Sequence, residues 1–243
     1  MLGVIPARLA STRLPRKVLR EIAGEPMLAW VVRAARACPL LDEVLIATDS
    51  EEVMEFARQR GLAAVLTPAD CASGTDRVYA VAQSVVAEIY VNIQGDEPLL
   101  RPEHIAALLE PFARAEVEVA TLATECAAEE IGNPNAVKVV TAANGRALYF
   151  SRATIPYDRD GGGGVRYRKH LGIYAYRRAA LQRFPMLAAS ALEAAEKLEQ
   201  LRFLENGMDI YVTETPYDTV GVDTEEDLRR VEEILRGSAV RRD

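Results

Sequence analysis

Residues 1–20 read MLGVIPARLASTRLPRKVLR, and this stretch decides the fold class. It begins with an apolar run from Leu2 to Ile5, which has the length and composition of a buried β-strand. A loop from Pro6 to Lys17 follows directly, and it contains several cations and no acidic residue. The opening therefore predicts a strand that ends in a basic loop.

The pattern of the opening is repeated along the first half of the chain. Short apolar runs alternate with helix-like stretches of about ten or more residues, which is the rhythm of a parallel sheet. Strand-like segments at residues 136–141 and 170–176 indicate an antiparallel extension. We therefore expect an α/β fold with a mostly parallel mixed sheet, whose further early strands lie at residues 44–48, 63–66 and 89–93.

Several residues indicate where helices begin. Pro26 can occupy a first helical position, Ser50 can cap a helix over residues 51–60, and Pro102 can open a segment that reaches Ala115. Three βα units are therefore expected before residue 116.

The second half contains two further signals. Thr224 and Asp227 have capping-box spacing, so a last helix is expected from Thr224 to about Gly237. The four consecutive glycines Gly161 to Gly164 cannot easily hold a helix or strand interior, and we interpret them as a mobile loop.

Composition excludes several functional classes. The 243 residues are 49% hydrophobic, which suits one compact domain, and a formal net charge of −7 argues against a nucleic-acid-binding surface. The three cysteines form no CxxC pair, which favours a reducing compartment over a disulfide framework. No window approaches about 18 uninterrupted apolar residues, so no membrane insertion is expected and the predicted location is the cytoplasm.

The basic loop is expected to meet an anionic ligand. In open α/β sheets, ligands bind beyond the carboxyl ends of the strands, where this loop lies. Arginine forks and a lysine point charge suit a triphosphate, and Ser11 and Thr12 add further donors. The alternative is a solvated loop that is merely basic. GxGxxG and GxxxxGK[ST] are both missing, which disfavours a dinucleotide fold and a Walker-type cradle. The cations of this region are Arg8, Arg13, Arg16, Lys17 and Arg20.

An acidic turn follows the strand expected at residues 89–93. Its sequence is QGDEP, from Gln94 to Pro98, and Asp96 within it can hold Mg²⁺ together with phosphate oxygens, with Glu97 as an alternative ligand. Asp223, just before the last helix, offers a second carboxylate. The alternatives are an ordinary polar turn for the first segment and a helix-dipole charge for Asp223.

Taken together, these segments resemble the 3-deoxy-manno-octulosonate cytidylyltransferases, or CMP-Kdo synthetases, of the sugar nucleotidyltransferase superfamily. Sialic acid cytidylyltransferases share the opening loop but are less similar in the later segments. The matching segments are VIPARLASTRLPRKV (4–18), SGTDR (73–77), VNIQGDEP (91–98), NPNAVKVV (133–140), YFSRATIPYDRD (149–160), KHLGIYAYR (169–177), LEQLR (198–202) and GVDTEEDL (221–228).

The resemblance implies a fold, a reaction and an assembly. The fold would be a three-layer, Rossmann-like nucleotidyltransferase domain over residues 1–243, with a nucleotide-binding half (1–125) and an acid-sugar-binding half (126–243). The reaction would transfer the cytidylyl group of CTP to 3-deoxy-D-manno-octulosonate, an eight-carbon acid sugar, with Mg²⁺ and release of pyrophosphate. The product would serve lipopolysaccharide synthesis. A homodimer built through the second half is also implied.

The resemblance also implies roles for single residues. Asp96 and Asp223 would share the metal, and with Arg8 and Lys17 they would form the catalytic set. The nucleotide would be bound by Arg8, Ser11, Arg13, Lys17, Ser73, Gly74, Arg77, Gln94 and Asp96, and the acid sugar by Arg152, His170, Tyr174, Glu199 and Gln200.

Some of these positions have a second interpretation. His170 is also explained as a structural hydrogen-bonding residue, whereas His104 is expected on the surface. Glu199 and Gln200 are expected on a helical pattern, facing away from the apolar stripe of Leu198 and Leu201, where they could equally be solvated.

Three positions depart from the usual family pattern. Arg16 and Ala191 stand where glycine and proline are common, and Glu225 replaces a frequent proline.

Among competing functions, a transferase for sialic acid or an amino-modified octulosonate shares the same chemistry. A catalytically silent nucleotide-binding protein should lack the basic loop or a metal carboxylate, and a Rossmann dehydrogenase should carry the glycine fingerprint.

Overall fold

The computed structural model describes residues 1–9 and 14–239. The chain forms two compact units. The first comprises Met1–Ala106 and the chain from Thr219 onward, and the second comprises Ala107–Asp218.

The first unit contains four parallel strands of the main sheet. β1 (Leu2–Pro6) lies between β6 (Ile89–Asn92) and β4 (Glu43–Thr48), and β5 (Ala64–Leu66) lies beyond β4. Both neighbours of β1 run parallel to it, with Leu2 opposite Glu43 and Tyr90. A short hairpin of β2 (Glu21–Ile22) and β3 (Glu25–Pro26) follows the basic loop. The predicted parallel arrangement is confirmed.

Helices follow each of the four parallel strands. They are α1 (Met27–Arg36), α2 (Glu51–Gln59), α3 (Gly74–Ala82) and α4 (Pro102–Leu109), and α8 (Glu225–Ala239) closes the first unit. Pro26 precedes α1 rather than opening it, because its ψ of 139° is extended. Ser50 caps α2 as predicted, with Oγ accepting from the Val53 amide.

Helix α3 was missed by the sequence analysis, which counted three βα units. Its start is a capping box: Ser73 Oγ accepts from the Asp76 amide at 3.1 Å, and the Asp76 carboxylate accepts from the Ser73 amide at 3.0 Å. The reciprocal bonds satisfy two donors of the first turn. The Thr224–Asp227 pair does the same for α8, which runs two residues beyond the predicted Gly237.

His104 is buried and not on the surface as expected. It lies in the first turn of α4, where its ring Nδ1 accepts from the Arg101 amide at 3.0 Å. The imidazole thus satisfies a donor that the helix leaves without an intrahelical partner.

The second unit contains the antiparallel extension. β10 (Arg168–Arg177) pairs antiparallel with both β7 (Val119–Glu125) and β8 (Lys138–Thr141). β8 also pairs antiparallel with β9 (Ala147–Ser151), whereas β11 (Tyr211–Glu214) runs parallel to β7. The helices of this unit are α5 (Arg178–Arg183), α6 (Ala191–Glu196) and α7 (Leu201–Glu205). The predicted α/β class with a mixed sheet is confirmed.

The glycines Gly161–Gly164 lie in a loop, as predicted. Gly161 and Gly163 have φ angles of 63° and 70°. Their amides donate to the Asp158 carboxylate at 3.0 and 3.2 Å. No helix in the described part of the chain is long and apolar enough to cross a membrane.

Candidate functional site

The ends of β1 and β6 approach each other closely at Gly95. A Cβ atom on this residue would lie 2.8 Å from the Pro6 carbonyl oxygen, which a backbone contact cannot accommodate. Only glycine therefore allows the acidic turn to sit against the start of the basic loop. Asp96 follows immediately, so its position is fixed by this contact.

Lys17 joins the two carboxylates that the sequence indicated as metal ligands. Its Nζ donates to Asp96 Oδ2 at 2.5 Å and to Asp223 Oδ1 at 2.9 Å. The backbone secures the same arrangement, because the Val222 amide donates to the Asp96 carbonyl at 3.0 Å. Residues 79 and 206 positions away from Lys17 thus meet at one nitrogen atom. We call Lys17, Asp96 and Asp223 the Lys17 cluster.

The two aspartates of the Lys17 cluster stabilise the charged form of Lys17. Burial alone would lower the pKa of Lys17, but the charges and hydrogen bonds of Asp96 and Asp223 raise it above the ordinary lysine value. The lysine is only 14% exposed, while the aspartates are 30% and 46% exposed. Two carboxylates that hold one cation and remain open to solvent can also accept a divalent ion.

The other described cations of the basic loop have separate partners. Arg8 donates to the Cys71 carbonyl, and Arg16 pairs with Glu52. Arg20 binds both oxygens of Glu225 at 2.8 and 3.0 Å. The predicted ligands Ser11 and Arg13, with Thr12, lie outside the described residues.

The three departures from the family pattern have identifiable places in the structure. Arg16 has φ 56° and ψ 30°, a left-handed conformation that glycine adopts without steric cost. Glu225 occupies the first position of α8, where proline is well tolerated, and here it instead pairs with Arg20. Ala191 likewise opens α6 after the cap Ser190.

The predicted base and ribose residues surround the start of α3. Ser73 caps this helix, and a Cβ atom on Gly74 would lie 3.3 Å from Asn92 Nδ2, so glycine keeps the helix close to β6. Arg77 is fully buried, with hydrogen bonds to Thr67 at 2.5 Å and Asp49 at 3.0 Å. Its Nε has no partner among the described residues. Gln94 lies in the turn just after β6.

Arg152 follows β9 in the second unit, and backbone carbonyls hold its guanidinium. Nε donates to the Glu196 carbonyl at 2.7 Å and Nη1 to the Pro134 carbonyl at 3.0 Å. Nη2 donates to the Lys197 carbonyl at 3.4 Å. Since guanidinium has five N–H donors, each terminal nitrogen keeps one donor for a ligand. That pair matches the two oxygens of a carboxylate.

His170 and Tyr174 form a hydrogen-bonded pair on β10. The Tyr174 hydroxyl lies 2.8 Å from His170 Nε2, and Thr121 Oγ1 lies 3.1 Å from the same nitrogen. Desolvation lowers the pKa of His170 to about 3, so the imidazole is neutral at physiological pH. Desolvation also raises the pKa of Tyr174 well above its ordinary value. The pair is therefore an uncharged set of hydrogen-bonding groups.

Glu199 and Gln200 do not lie on a helix face, contrary to the sequence interpretation. They form the turn between α6 and α7, and Gln200 precedes the first residue of α7. Gln200 is 7% exposed, and its Nε2 has no hydrogen-bond partner in the described part of the chain. Such a donor costs free energy unless a ligand or water accepts from it.

The sequence analysis missed two residues that support this part of the molecule. Thr121 contacts His170 and also the Leu171 and Ile173 carbonyls, where the register between β7 and β10 shifts. Lys138 is fully buried and donates to three carbonyl oxygens. Lys138 could have been noticed in the sequence because it is a lysine within an otherwise apolar strand-like segment.

Metal-binding potential rests on the aspartate pair. Within the ranges 1–9 and 14–239, no group of three or more His, Cys, Asp or Glu residues could hold a metal ion by itself. Magnesium commonly binds one or two carboxylates together with phosphate oxygens. The Lys17 cluster therefore fits a metal that arrives with a nucleotide.

The chain matches known proteins over almost its whole length. The cytidylyltransferase family profile matches residues 2–210. The 3-deoxy-manno-octulosonate cytidylyltransferase of Acidobacterium capsulatum is 72% identical over 97% of this chain and 96% of the relative. The Koribacter versatilis protein of the same name is 61% identical, over 97% of this chain and 90% of the relative.

A solved structure shows the same fold. CMP:2-keto-3-deoxy-manno-octonic acid synthetase in complex with CTP is 42% identical and superposes with a TM-score of 0.94, covering 98% of both chains. Together with the sequence relatives, this likeness extends well beyond the opening loop and the acidic turn. The chain therefore belongs to the cytidylyltransferase family and, within it, to the 3-deoxy-manno-octulosonate cytidylyltransferases.

Proposed function

We propose that this chain is a Mg²⁺-dependent cytidylyltransferase that converts CTP and 3-deoxy-D-manno-octulosonate (Kdo) to CMP-Kdo and pyrophosphate. The observation that carries the proposal is the Lys17 cluster, in which one cation is held by Asp96 and Asp223 beside the ends of two parallel strands. The relatives with the same named activity support the choice of substrates.

The reaction is a substitution at phosphorus. The anomeric hydroxyl of Kdo attacks the α-phosphorus of CTP, and the bond from that phosphorus to the pyrophosphate oxygen breaks. The hydroxyl proton is released to solvent. No protein nucleophile is required, so the residues contribute by positioning and by charge.

Asp96 and Asp223 would hold the metal. A bound Mg²⁺ lowers the pKa of a coordinated hydroxyl and neutralises charge on the phosphate. The Lys17 ammonium, which contacts both carboxylates, would also pair with phosphate oxygens. Lys17 and Arg8 would then stabilise the departing pyrophosphate, as cations do for developing negative charge.

The nucleotide residues that the structure describes belong to the first compact unit. Arg8, Ser11, Arg13 and Lys17 would bind the triphosphate, and the turn that contains Gln94 would approach it. Ser73, Gly74 and Arg77 would contribute to the cytosine and ribose pocket. Since Arg77 is held by Asp49 and Thr67, its contribution would come from a fixed guanidinium with one buried donor, Nε, still to be satisfied.

The acid-sugar residues belong to the second compact unit. The two outward donors of Arg152 suit the sugar carboxylate. The neutral His170–Tyr174 pair, Glu199 and the buried amide of Gln200 suit hydroxyl groups, which both donate and accept.

The family relationship supports a proposal for the wider biological setting. The single nucleotidyltransferase domain of 1–243 would be divided between a nucleotide half and a sugar half. We place the enzyme in the cytoplasm, where it would supply activated Kdo for lipopolysaccharide synthesis as a homodimer formed through the second half. Sedimentation equilibrium of the purified chain tests the dimer.

A pyrophosphate-release assay tests the substrates. Initial rates are measured with CTP, UTP, ATP and dTTP against Kdo, its amino-modified analogue and sialic acid, with Mg²⁺ or with chelator. CTP with Kdo and Mg²⁺ should give the highest rate. A higher rate with sialic acid or the amino sugar would show that this sugar, and not Kdo, is the substrate. If no combination of nucleotide and acid sugar releases pyrophosphate, the proposed function is refuted.

A further inference from the structure

Lys138 is a buried lysine whose ammonium group donates to backbone carbonyl oxygens. It opens β8 and is 0% exposed. In the described part of the chain its hydrogen bonds go to backbone carbonyls, and burial lowers its pKa although the charges of Glu130 and Glu196 oppose that effect. A buried ammonium ion is costly unless its donors are satisfied, so this position needs a specific explanation.

Three carbonyl oxygens satisfy the three donors of Lys138. Nζ donates to Ala136 at 2.6 Å, to Asn133 at 2.9 Å and to Arg152 at 3.2 Å. The first two carbonyls belong to one turn, residues 133–136, in which the Ala136 amide also donates to the Asn133 carbonyl. The third belongs to the residue that we place on the sugar carboxylate.

The side chain of Arg152 makes the return contact. Its Nη1 donates to the Pro134 carbonyl at 3.0 Å, and Pro134 lies inside the turn that Lys138 holds. Lys138 thus fixes the backbone of Arg152 and also the turn against which the Arg152 guanidinium rests. The Lys138 ammonium group therefore contacts one end of the arginine and supports the turn at the other, while Glu196 also binds the Arg152 amide and Nε.

We propose that Lys138 is a positioning residue for acid-sugar recognition, acting through Arg152 and the turn of residues 133–136. It touches no substrate. It holds the Arg152 guanidinium so that the outward donors of Nη1 and Nη2 present a fixed fork to the carboxylate. This proposal rests on the function proposed above, because it takes Arg152 as the carboxylate ligand.

The test compares the KM for Kdo with the KM for CTP in Lys138→Met, which keeps an unbranched side chain, one atom shorter, and removes the donors. The KM for Kdo should rise about tenfold or more, since small displacements of a binding group have large effects. The KM for CTP should stay within about twofold. Equal changes in both constants, or an unchanged KM for Kdo, would overturn the proposal.

A double-mutant comparison shows whether Lys138 acts through Arg152. The KM for Kdo of Arg152→Ala with Lys138→Met should equal that of Arg152→Ala alone, because the arginine is already absent. If the increases in the KM for Kdo caused by the two single substitutions multiply in the double variant, Lys138 does not act through Arg152. If Arg152→Ala leaves the KM for Kdo unchanged, the assignment of Arg152 fails instead, and a wild-type chain without activity refutes the function itself.

Stability must be separated from positioning. Leu181→Ala is the matched control, since it empties a buried site in α5 of the same unit. It should lower the melting temperature while both Michaelis constants stay unchanged. A rise in the KM for Kdo in this control would mean that lost stability explains the effect, and the proposal would fall.

A milder substitution keeps the proposal testable if Lys138→Met does not fold. Lys138→Gln keeps two of the three donors and should give a KM for Kdo between those of wild type and Lys138→Met. If Lys138→Met does not fold, an unchanged KM in Lys138→Gln overturns the proposal. If neither variant folds, Lys138 is required for folding, and the positioning role is likewise rejected.

Discussion

The two compact units each hold a lysine between two carboxylates, and the two sites are nearly alike. In the first unit Lys17 contacts Asp96 and Asp223 at 2.5 and 2.9 Å. In the second, Lys169 contacts Glu130 at 3.1 Å and Asp218 at 2.9 Å. The lysines are 14% and 13% exposed, and acidic neighbours raise the pKa of both against the opposing effect of burial.

The Lys17 and Lys169 sites have similar local geometry, but they differ in their surroundings. Asp96 follows the carboxyl end of a parallel strand, the edge at which α/β sheets bind ligands, and Arg8 lies on the neighbouring loop. Lys169 lies within an antiparallel strand, with a second lysine, Lys138, opposite it. A lysine between two acids is therefore not evidence of catalysis by itself. Substitutions at Lys17 and Lys169 distinguish a catalytic site from a structural one.

The largest difference is expected from removing the two lysines in turn. Lys17→Met should lower kcat/KM for pyrophosphate release about 100- to 1,000-fold, because the cation that we propose to face the departing phosphates is lost. Steady-state rates with CTP and Kdo measure this. A loss of less than about tenfold would remove Lys17 from the catalytic set.

Lys169→Met should affect stability more than rate. Glu130 and Asp218 would lose their shared cation while remaining partly exposed, so the free energy of unfolding should fall by about 1–3 kcal/mol. Urea denaturation measures that loss, and kcat/KM should change by less than about tenfold. A rate loss equal to that of Lys17→Met would make the two sites functionally equivalent.

The pH dependence of stability should also carry the signature of Lys169. Because the folded-state pKa is raised above 10.5, the contribution of this lysine is complete below pH 10.5 and is lost as pH rises through the folded-state value. Unfolding free energies of wild type and Lys169→Met should therefore converge at alkaline pH. A constant difference across that window would show that the ion pairs do not cause the stabilisation.

The smallest effect is expected at Arg16, a basic-loop cation outside the Lys17 cluster. In Arg16→Gly, relief of the left-handed backbone offsets the greater flexibility of unfolded glycine and the loss of the exposed pair with Glu52. The unfolding free energy should change by less than about 1 kcal/mol. A large fall in kcat/KM would place Arg16 among the phosphate ligands.

The sequence could predict features whose cause is local. Apolar runs marked the strands, and the spacing of Thr224 and Asp227 marked the cap of α8. Asp96 and Asp223 are predicted metal ligands because of their positions next to a strand end and a helix start, and this role stays a prediction. The contact of both with Lys17 depends on chain segments far apart in sequence, which only the folded chain brings together.

The failures have physical causes of the same kind. The Ser73–Asp76 capping box was present in the sequence, but a helix over residues 74–82 was not inferred from it. His104 was placed on the surface because its bond to the Arg101 amide could not be foreseen. Gln200 follows a helical spacing of leucines, yet a turn separates α6 from α7 and buries its amide.

We propose that Asp96 belongs to a catalytic cation site and Asp218 to a structural one. The most direct test compares pyrophosphate release by Asp96→Asn and Asp218→Asn, each with CTP, Kdo and a series of Mg²⁺ concentrations. Asp96→Asn should lose nearly all activity at every Mg²⁺ concentration, whereas Asp218→Asn should keep wild-type metal dependence. Wild-type turnover by Asp96→Asn, or equal loss in both variants, would contradict the account.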